Sequence, residues 1–164
     1  MNQHYDVIGV SSAGNSFTNI ETNEGVRMIE VNMTRSITPI ADLISLFKLY
    51  RVFKNEKPFI VHSHTPKAGT LSMLAAKLAK VPHRLHTIAG LPLLEANGAK
   101  RWLLDIVEKI TYRCATKIYP NSFGLKDIII KNGYTKEDKL VVIGNGSSNG
   151  IDIDYFSKDK ITES

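Results

Sequence analysis

The sequence alternates short runs of β-branched and aromatic residues with segments of helical periodicity. This alternation is typical of β-α-β units and predicts an α/β fold with a mainly parallel sheet. The segments between the strands are expected to be helices. The predicted strands are Tyr5 to Val10, Val26 to Val31, Phe59 to His62, Arg84 to Ile88, Lys117 to Tyr119 and Leu140 to Ile143.

The helix predicted to begin at Thr38 and Pro39 carries a regular apolar face. Threonine suits the N-cap, and proline suits the first helical turn. We expect this face to pack on the sheet because apolar residues recur on one side of the helix. The residues of the face are Ile40, Leu43, Ile44, Phe47 and Tyr50.

Three further helices follow along the chain. One begins near Pro66 and is rich in small residues, which allow close packing on the sheet. The small residues are Ala68, Gly69, Ala75 and Ala76. The segment Asn97 to Ala115, which contains Trp102, is amphipathic and basic, so it fits a solvated outer face or an anionic membrane surface. Ser122 is expected to cap a last helix that ends at Gly133.

Composition narrows the class of protein. A chain of 164 residues with 43% hydrophobic and 23% charged residues fits one globular domain. The net charge of +5 suggests anionic partners, but the basic residues are dispersed, which argues against nucleic acid. The one cysteine, Cys114, excludes an internal disulfide and indicates the cytoplasm. The sequence shows no leader pattern and no apolar run of the roughly 18 residues that a membrane span needs.

The stretch Ile60 to Gly69, IVHSHTPKAG, places two histidines where a predicted strand gives way to a helix. Residues two apart share a face of a strand, so His62 and His64 are expected to point the same way. They come at the carboxyl edge, where open α/β sheets bind ligands. The helix that begins at Pro66 offers free N–H groups to a phosphate or carboxylate, and Lys67 adds a positive charge.

A further histidine, His86, lies in the next strand region, and Gly90 bends the chain after it. Because parallel neighbouring strands end at the same edge, His86 is expected to approach the His62 and His64 loop. Three roles remain open for these imidazoles: contact with a substrate, hydrogen bonding to backbone carbonyls, and zinc binding. Their position favours a substrate, and zinc is disfavoured because no Cys, Asp or Glu completes the ligand set.

The segment GNGSSNG, Gly144 to Gly150, follows an apolar run and has the look of a dinucleotide-binding loop. Its spacing is G-x-G-x-x-x-G, and no long helical pattern follows it, so the dinucleotide interpretation fails. The Gly, Ser and Asn residues predict a flexible linker or hinge.

Three segments together resemble the retaining glycosyltransferases of the family 4 type, which have two Rossmann-like domains in the GT-B arrangement. The resemblance is to the N-terminal, acceptor-binding half of bacterial enzymes of capsule, O-antigen and lipid-linked oligosaccharide assembly. The segments are FIVHSHTPKAGTLSMLAAKLAKVPHRLHTIAGLP (59 to 92), KIYPNSFGLKDIII (117 to 130) and VVIGNGSSNGIDIDYF (141 to 156).

The resemblance implies an acceptor-binding domain over residues 1–144 and the start of an interdomain hinge over residues 145–164, beginning at Asn145 and Gly146. It implies a catalytic position for His86 near the transferred sugar, with no metal and no cofactor. Asn121 and Ser122 match the family's strand-to-helix step. The residues that it implies for acceptor binding are His62, His64, Thr65, Lys67 and Gly90.

The resemblance also implies partners. They are a nucleotide sugar, held by a separate donor domain, and a lipid-diphosphate or oligosaccharide acceptor. A peripheral location on the inner face of the plasma membrane, contact with its anionic surface and a homo-oligomer are further expectations. Two alternatives stay open: a fragment of a UDP-sugar 2-epimerase, which shares the architecture, and a non-catalytic module that binds a membrane surface or a partner.

Two departures from the family pattern lead to a prediction about stability. The family's first strand, central in its sheet, and a glycine-rich loop have no counterpart before Tyr5, and the donor domain is absent. We therefore expect a fragment of a GT-B fold that lacks its first strand and is inactive alone. Unpaired backbone groups beside the missing strand are expected to leave it marginally stable or oligomeric.

Overall fold

The computed structural model describes residues 4–34 and 38–146, in which five parallel strands alternate with five α-helices. The strands are β1 (Ile8–Ser11), β2 (Arg27–Glu30), β3 (Ile60–Ser63), β4 (His83–Ile88) and β5 (Lys117–Pro120). The helices are α1 (Asn15–Glu24), α2 (Pro39–Glu56), α3 (Pro66–Leu78), α4 (Gly98–Cys114) and α5 (Phe123–Lys131). Two 3₁₀ turns lie at Pro92–Glu95 and Glu137–Lys139.

Five of the six predicted strands are confirmed, with ends that differ by at most three residues. The sixth, Leu140 to Ile143, is wrong. It pairs with β5 only through one parallel bridge between Ile118 and Leu140, where the Val141 N–H donates to the Ile118 carbonyl at 2.9 Å. The Ile143 carbonyl then accepts from the Gly146 N–H at 3.1 Å. The chain turns away at that point, before a ladder forms.

The parallel strands form two sheets within the described residues. One contains β1 and β2, and the other has the order β3, β4, β5. Every strand ladder in both sheets is parallel, so the expected Rossmann-like architecture is confirmed. No described backbone hydrogen bond joins β1 to β3, which leaves an edge of each sheet open toward the other.

Contacts at both ends of the strands fix the relative direction of the two sheets. Arg27, the first residue of β2, forms an ion pair with Glu56, which lies just before β3. Beyond the other ends of the same strands, the Lys67 ammonium donates to the Thr34 hydroxyl at 2.9 Å. The amino ends of β2 and β3 therefore lie at one edge and their carboxyl ends at the other, so the two sheets run in the same direction.

Helix α2 begins after Thr38 as expected, but the face predicted to pack on the sheet is wrong. The buried side chains are Ser45, Leu49 and Phe53, and Tyr50 is only partly buried against the core. The Ser45 hydroxyl fits there because it donates to the Asn32 carbonyl at 2.6 Å, a compensation that hydrophobic periodicity does not reveal. The predicted face is exposed at Ile40 (81%), Leu43 (66%), Ile44 (53%) and Phe47 (57%).

The other helix predictions agree with the structure. In α3, the small residues Gly69, Ala75 and Ala76 are buried where the helix lies on β3 and β4. The Ser122 hydroxyl caps α5 by accepting from the Leu125 N–H at 3.1 Å, and Gly133 has the left-handed φ of 63° just beyond the helix end. Helices α2, α3 and α4 pack side by side, with α3 in the middle.

Candidate active site

The register of β3 and β4 determines which histidines share a face of the sheet. Ser63 lies opposite His86, and its hydroxyl is hydrogen-bonded to His86 Nδ1 at 2.8 Å. The His62 Nε2 atom is hydrogen-bonded to the Thr87 hydroxyl, also at 2.8 Å. Because successive side chains alternate between faces, His62 and His86 lie on opposite faces. The sequence suggested that His62, His64 and His86 form one cluster, but the strand register places His62 and His86 on opposite faces of the sheet.

His64 lies just past the end of β3, where it contacts His62 and borders the same cavity as His86. Its ring is tilted against the His62 ring, with 4.1 Å between the centroids. It also borders, together with His86 and Gly90, a cavity of about 470 Å³ at the carboxyl ends of β3 and β4. Three of the residues predicted for the site therefore meet at one cavity. Its other lining residues are Pro66, Thr87, Ile88, Ala89, Leu91, Glu95 and Glu108.

His86 is held as a neutral imidazole. Only 3% of the residue is exposed, and burial lowers its pKa to about 4, although a hydrogen bond with Ser63 opposes the shift. The hydrogen bond at Nδ1 fixes the ring, so Nε2 is the nitrogen available to a ligand. Burial and the neighbouring His64 also lower the pKa of His62 to about 4. Neither histidine therefore carries a charge at neutral pH.

The His86 ring lies directly against the backbone of α3 at Gly69. A Cβ atom added to Gly69 would stand 2.4 Å from His86 Cε1 and 2.9 Å from Nδ1. Only glycine leaves room for the imidazole in this position. The sequence had predicted close helix packing at Gly69 without identifying the residue that it accommodates.

Two carboxylates at the cavity, Glu95 and Glu108, were missed by sequence reasoning. Burial raises the pKa of Glu108, and the neighbouring Tyr112 hydroxyl opposes the shift in part. That hydroxyl is buried and has no hydrogen bond of ordinary geometry within the described residues. The sequence gives one sign of this contact: Glu108 and Tyr112 are four residues apart, so their side chains lie on the same side of α4.

The other predicted acceptor residues lie beside the cavity. Thr65 is the N-cap residue of α3 and, with His62, borders a second cavity of about 290 Å³ between β1 and β3. The Lys67 ammonium forms an ion pair with Asp42 at 2.6 Å. Burial alone would raise the pKa of Asp42, but hydrogen bonds from Lys67 and Thr38 outweigh burial and lower it. Lys67 thus ties α3 to the first turn of α2.

The predicted hinge is described only at its beginning, because residues 147–164 lie outside the described part of the chain. Asn145 and Gly146 form a turn, and Gly146 has a φ of 87°. A Cβ atom at Gly146 would stand 3.0 Å from the Asn121 carbonyl oxygen. Glycine is therefore required where this turn passes over the corner between β5 and α5.

A metal site receives no support from the described geometry. Across residues 4–34 and 38–146, no three His, Cys, Asp or Glu side chains are grouped in a way that could hold a metal ion. His62 and His64 therefore lack further protein ligands of these types in the described residues.

Comparison with known proteins identifies the family. Residues 4–146 match the model of the glycosyl transferase 4-like domain. The chain belongs to this family. It is similar to the capsular polysaccharide biosynthesis glycosyltransferase CapM of Staphylococcus aureus, with 42% identity over 96% of this chain. It is also similar to the UDP-Gal:alpha-D-GlcNAc-diphosphoundecaprenol alpha-1,3-galactosyltransferase of Escherichia coli, with 32% identity over 95% of the chain.

Solved structures share the fold of this glycosyl transferase 4-like domain. A glycosyltransferase from Rickettsia africae matches with a TM-score of 0.63 and 24% identity, over 94% of this chain and 38% of its own. A UDP-N-acetylglucosamine 2-epimerase from Rickettsia bellii matches with a TM-score of 0.64 and 20% identity, over 88% of this chain and 38% of its own. At these identities the likeness concerns the fold alone.

The chain spans about 40% of the length of the two curated relatives. None of the helices in the described residues has the length and apolar character needed to span a membrane.

Proposed function

We propose that this chain is the acceptor-binding half of an enzyme that transfers a sugar, with retention, from a UDP-linked donor to a lipid-diphosphate-linked acceptor. The observation that carries the proposal is the cavity bordered by His64, His86 and Gly90 at the carboxyl edge of the sheet, in a chain whose relatives are named as glycosyltransferases. Residues 1–144 form the acceptor-binding domain, and residues 145–164 begin the hinge to a donor-binding half.

The role of His86 in this proposal follows from its fixed, neutral ring. Ser63 engages Nδ1 at 2.8 Å, so Nε2 offers one hydrogen bond to a hydroxyl of the reacting sugar. Glu95 and Glu108 border the same cavity, and carboxyl groups are suitable partners for sugar hydroxyls. Burial raises the pKa of Glu108, so this carboxyl group takes up a proton more readily than an exposed one.

The acceptor diphosphate is proposed to lie near the first turn of α3. The Gly69 N–H already donates to the Thr65 carbonyl at 2.7 Å, and the N–H group of Ala68 lies before this first helical hydrogen bond. Such groups and the helix dipole stabilise phosphate. His64 and Pro66 connect this turn with the cavity. The ammonium of Lys67, paired with Asp42, adds to the local positive potential without being the primary ligand.

An anionic membrane surface is the proposed location of the acceptor lipid, on the inner face of the plasma membrane. The apolar patch of α2, formed by Ile40, Leu43, Ile44 and Phe47, is exposed. The same helix continues with the exposed basic residues Lys48, Arg51 and Lys54. An apolar patch followed by cations matches the interface between acyl chains and anionic headgroups. Trp102 on α4 is also exposed and has the amphipathic ring typical of such interfaces.

The activity is tested in an enzyme that joins this chain to a donor-binding half, with UDP-sugars and an undecaprenyl-diphosphate-linked sugar as substrates. We expect His86→Ala to lower kcat by about 10²-fold, because a positioned hydrogen bond to the reacting sugar is lost. His83→Ala is the control, since His83 lies at the opposite end of β4 and is exposed. If the His86→Ala enzyme has the same kcat as the unchanged enzyme, His86 has a structural role and does not take part in the reaction.

A further inference from the structure

The 3₁₀ turn Pro92–Glu95 forms one wall of the cavity at the carboxyl ends of β3 and β4. Leu91, just before the turn, and Glu95, its last residue, both line this cavity. The side chains of Leu91 and Leu93 are buried. Glu108 lines the same cavity from helix α4. The cavity therefore has one carboxyl group on the turn and another on the helix.

Arg101, in the first turn of α4, ties the 3₁₀ turn to this helix. Its Nη1 atom donates to the Leu93 carbonyl at 2.8 Å. The same carbonyl accepts from the Ala96 N–H at 3.2 Å. In the described part of the chain, no other side-chain hydrogen bond reaches residues 91–96. A hydrogen bond from a guanidinium is charge-assisted and stronger than one between neutral groups, so the backbone of the turn depends on Arg101.

Two further residues hold the guanidinium in place. The Nε atom of Arg101 donates to Asp105 at 3.2 Å, and Nη2 donates to the Tyr134 hydroxyl, also at 3.2 Å. That hydroxyl in turn donates to Asp105. Tyr134 is buried just beyond the end of α5, where its N–H donates to the Ile129 carbonyl at 3.1 Å. Arg101, Asp105 and Tyr134 thus form a clamp that joins the turn, α4 and the end of α5.

The clamp lies beside both carboxyl groups of the cavity. Asp105 and Glu108 are three residues apart, so they lie on the same side of α4. The charge of Asp105 adds to the raised pKa that burial gives Glu108. Glu95 belongs to the turn that Arg101 holds. A movement of the turn would therefore change the position of Glu95 relative to Glu108.

We propose that the three residues of the clamp are positioning residues, which fix Glu95 and Glu108 relative to each other for the hydroxyl groups of the acceptor sugar. This inference rests on the proposed function and adds an orientation of the acceptor. Carboxyl oxygens accept hydrogen bonds from hydroxyl groups, whereas carboxylates repel a diphosphate. The acceptor sugar therefore faces α4, and its diphosphate faces the side of the cavity that His64 borders.

The clamp is expected to affect acceptor binding more than the chemical step. The His86 ring is fixed by Ser63 and Gly69, and these contacts do not involve the clamp. The donor is held by the other half of the enzyme. We therefore expect Arg101→Met to raise the KM for the acceptor about tenfold, while kcat and the KM for the UDP-sugar change less than about twofold.

The kinetic test uses this chain joined to a donor-binding half, with UDP-sugars and an undecaprenyl-diphosphate-linked sugar as substrates. In a Glu95→Gln enzyme, Arg101→Met should raise the acceptor KM by less than about twofold, because the group that Arg101 positions is already changed. A purely structural role of Arg101 would give the same increase in both backgrounds. Arg113→Met is the matched control, since Arg113 is exposed in the last turn of α4.

Amide hydrogen exchange of the 164-residue chain tests the clamp without catalysis. We expect Arg101→Met to speed exchange at the Ala96 amide about tenfold, as for one lost charge-assisted hydrogen bond. The Thr116 amide, which donates to the Arg84 carbonyl at 2.7 Å, should exchange as before. Tyr134→Phe removes a single hydroxyl and should change both the exchange and the acceptor KM in the same direction by less. It carries the test if Arg101→Met fails to fold.

The possible results separate this inference from the proposed function. Unchanged exchange at Ala96, an equal increase of exchange at Thr116, or an unchanged acceptor KM in an active enzyme would overturn the inference alone. Equal increases of the acceptor KM with and without Glu95→Gln would do the same. If the unchanged enzyme transfers no sugar to the lipid-linked acceptor, the proposed function is refuted and the inference falls with it.

Discussion

At the scale of single residues, one buried imidazole links the fold to the candidate chemistry. His86 is bonded to Ser63, packs against Gly69 and borders the cavity. Its ring is therefore fixed by a strand neighbour on one side and by a helix backbone on the other. Such fixation reduces the number of ring orientations before a substrate binds, which is the physical content of preorganisation.

The lowered pKa of His86 predicts a pH dependence of stability. In the unfolded chain the imidazole takes up a proton near pH 6.5, but in the folded chain it does so only near pH 4. Between these values the unfolded state binds more protons, so the free energy of unfolding falls as the pH falls. Relative to His86→Gln, we expect the native chain to lose up to about 3 kcal/mol between pH 6.5 and 4.

Urea unfolding at a series of pH values measures this difference. His83→Gln serves as the control, because His83 is exposed at the other end of β4. If the native chain and His86→Gln lose stability in parallel over this range, the imidazole is not buried in its neutral form.

The contact between Gly69 and His86 predicts a second effect at the residue scale. Gly69→Ala places a methyl group 2.4 Å from His86 Cε1, so we expect a loss of about 1 to 3 kcal/mol from overpacking. Gly124→Ala, in α5, meets no atom within 4 Å and should add about 0.5 to 1 kcal/mol through helix propensity. Chemical denaturation of both variants measures the contrast.

The same substitution in a His86→Ala chain tests whether the loss of stability is caused by contact with the imidazole. In a His86→Ala chain the space beside Gly69 opens, and Gly69→Ala should no longer destabilise. An equal loss of stability in both backgrounds would mean that the clash involves other atoms.

At the scale of secondary structure elements, α2 has one side that is buried in the core and another that is exposed to solvent. Its inward stripe contains Ser45, Leu49 and Phe53, and its exposed stripe begins at Ile40. When a helix carries apolar residues on two sides, the sequence of the helix alone does not determine which side packs against the core. The packing of α2 against α3 decides it, together with the two hydrogen bonds that make Ser45 acceptable in the interior.

The exposed stripe of α2 predicts binding to anionic vesicles. Phe47→Glu replaces an apolar side chain that is 57% exposed, beside the Arg51 guanidinium, whose carbon lies 5.4 Å from the Phe47 ring centroid. We expect this variant to bind phosphatidylglycerol vesicles about tenfold more weakly, or about 1.4 kcal/mol, because apolar burial is lost and a like charge is added. Its melting temperature should hardly change.

Co-sedimentation at low and high salt measures the binding. Phe123→Glu is the matched control, because Phe123 is 58% exposed but lies on α5. Loss of binding in both variants would point to a general charge effect, and no loss in either would remove α2 from the proposed membrane contact.

At the scale of the whole molecule, two parallel sheets with facing open edges predict marginal stability or self-association. Backbone groups that are removed from water without a partner cost about 1 to 3 kcal/mol each, and β1 and β3 each have one neighbouring strand in the described residues. We expect a low thermal midpoint or a species larger than a monomer. Light scattering after size exclusion, with calorimetry, provides the measurement. A monomer with a high melting temperature would mean that the gap closes by itself.

The sequence alone predicted most strands and helix ends of this protein, because these features depend on residues that are close together in the chain. Alternating apolar runs gave five strands, Ser122 and Gly133 marked the ends of α5, and small residues marked the close approach of α3. The IVHSHTPKAG segment also indicated the carboxyl edge where His64 meets the cavity. These features depend on neighbours in the chain, which the sequence displays directly.

Tertiary structure alone decided the remaining features, because they depend on register and packing between distant segments. The pairing of β3 with β4 brought Ser63 to His86 and turned His62 to the opposite face. The packing of α4 brought Glu108 to the cavity, and the split sheet left β1 and β3 facing each other. A shift of one residue in register would reverse the first of these results, and no local pattern in the sequence fixes that shift.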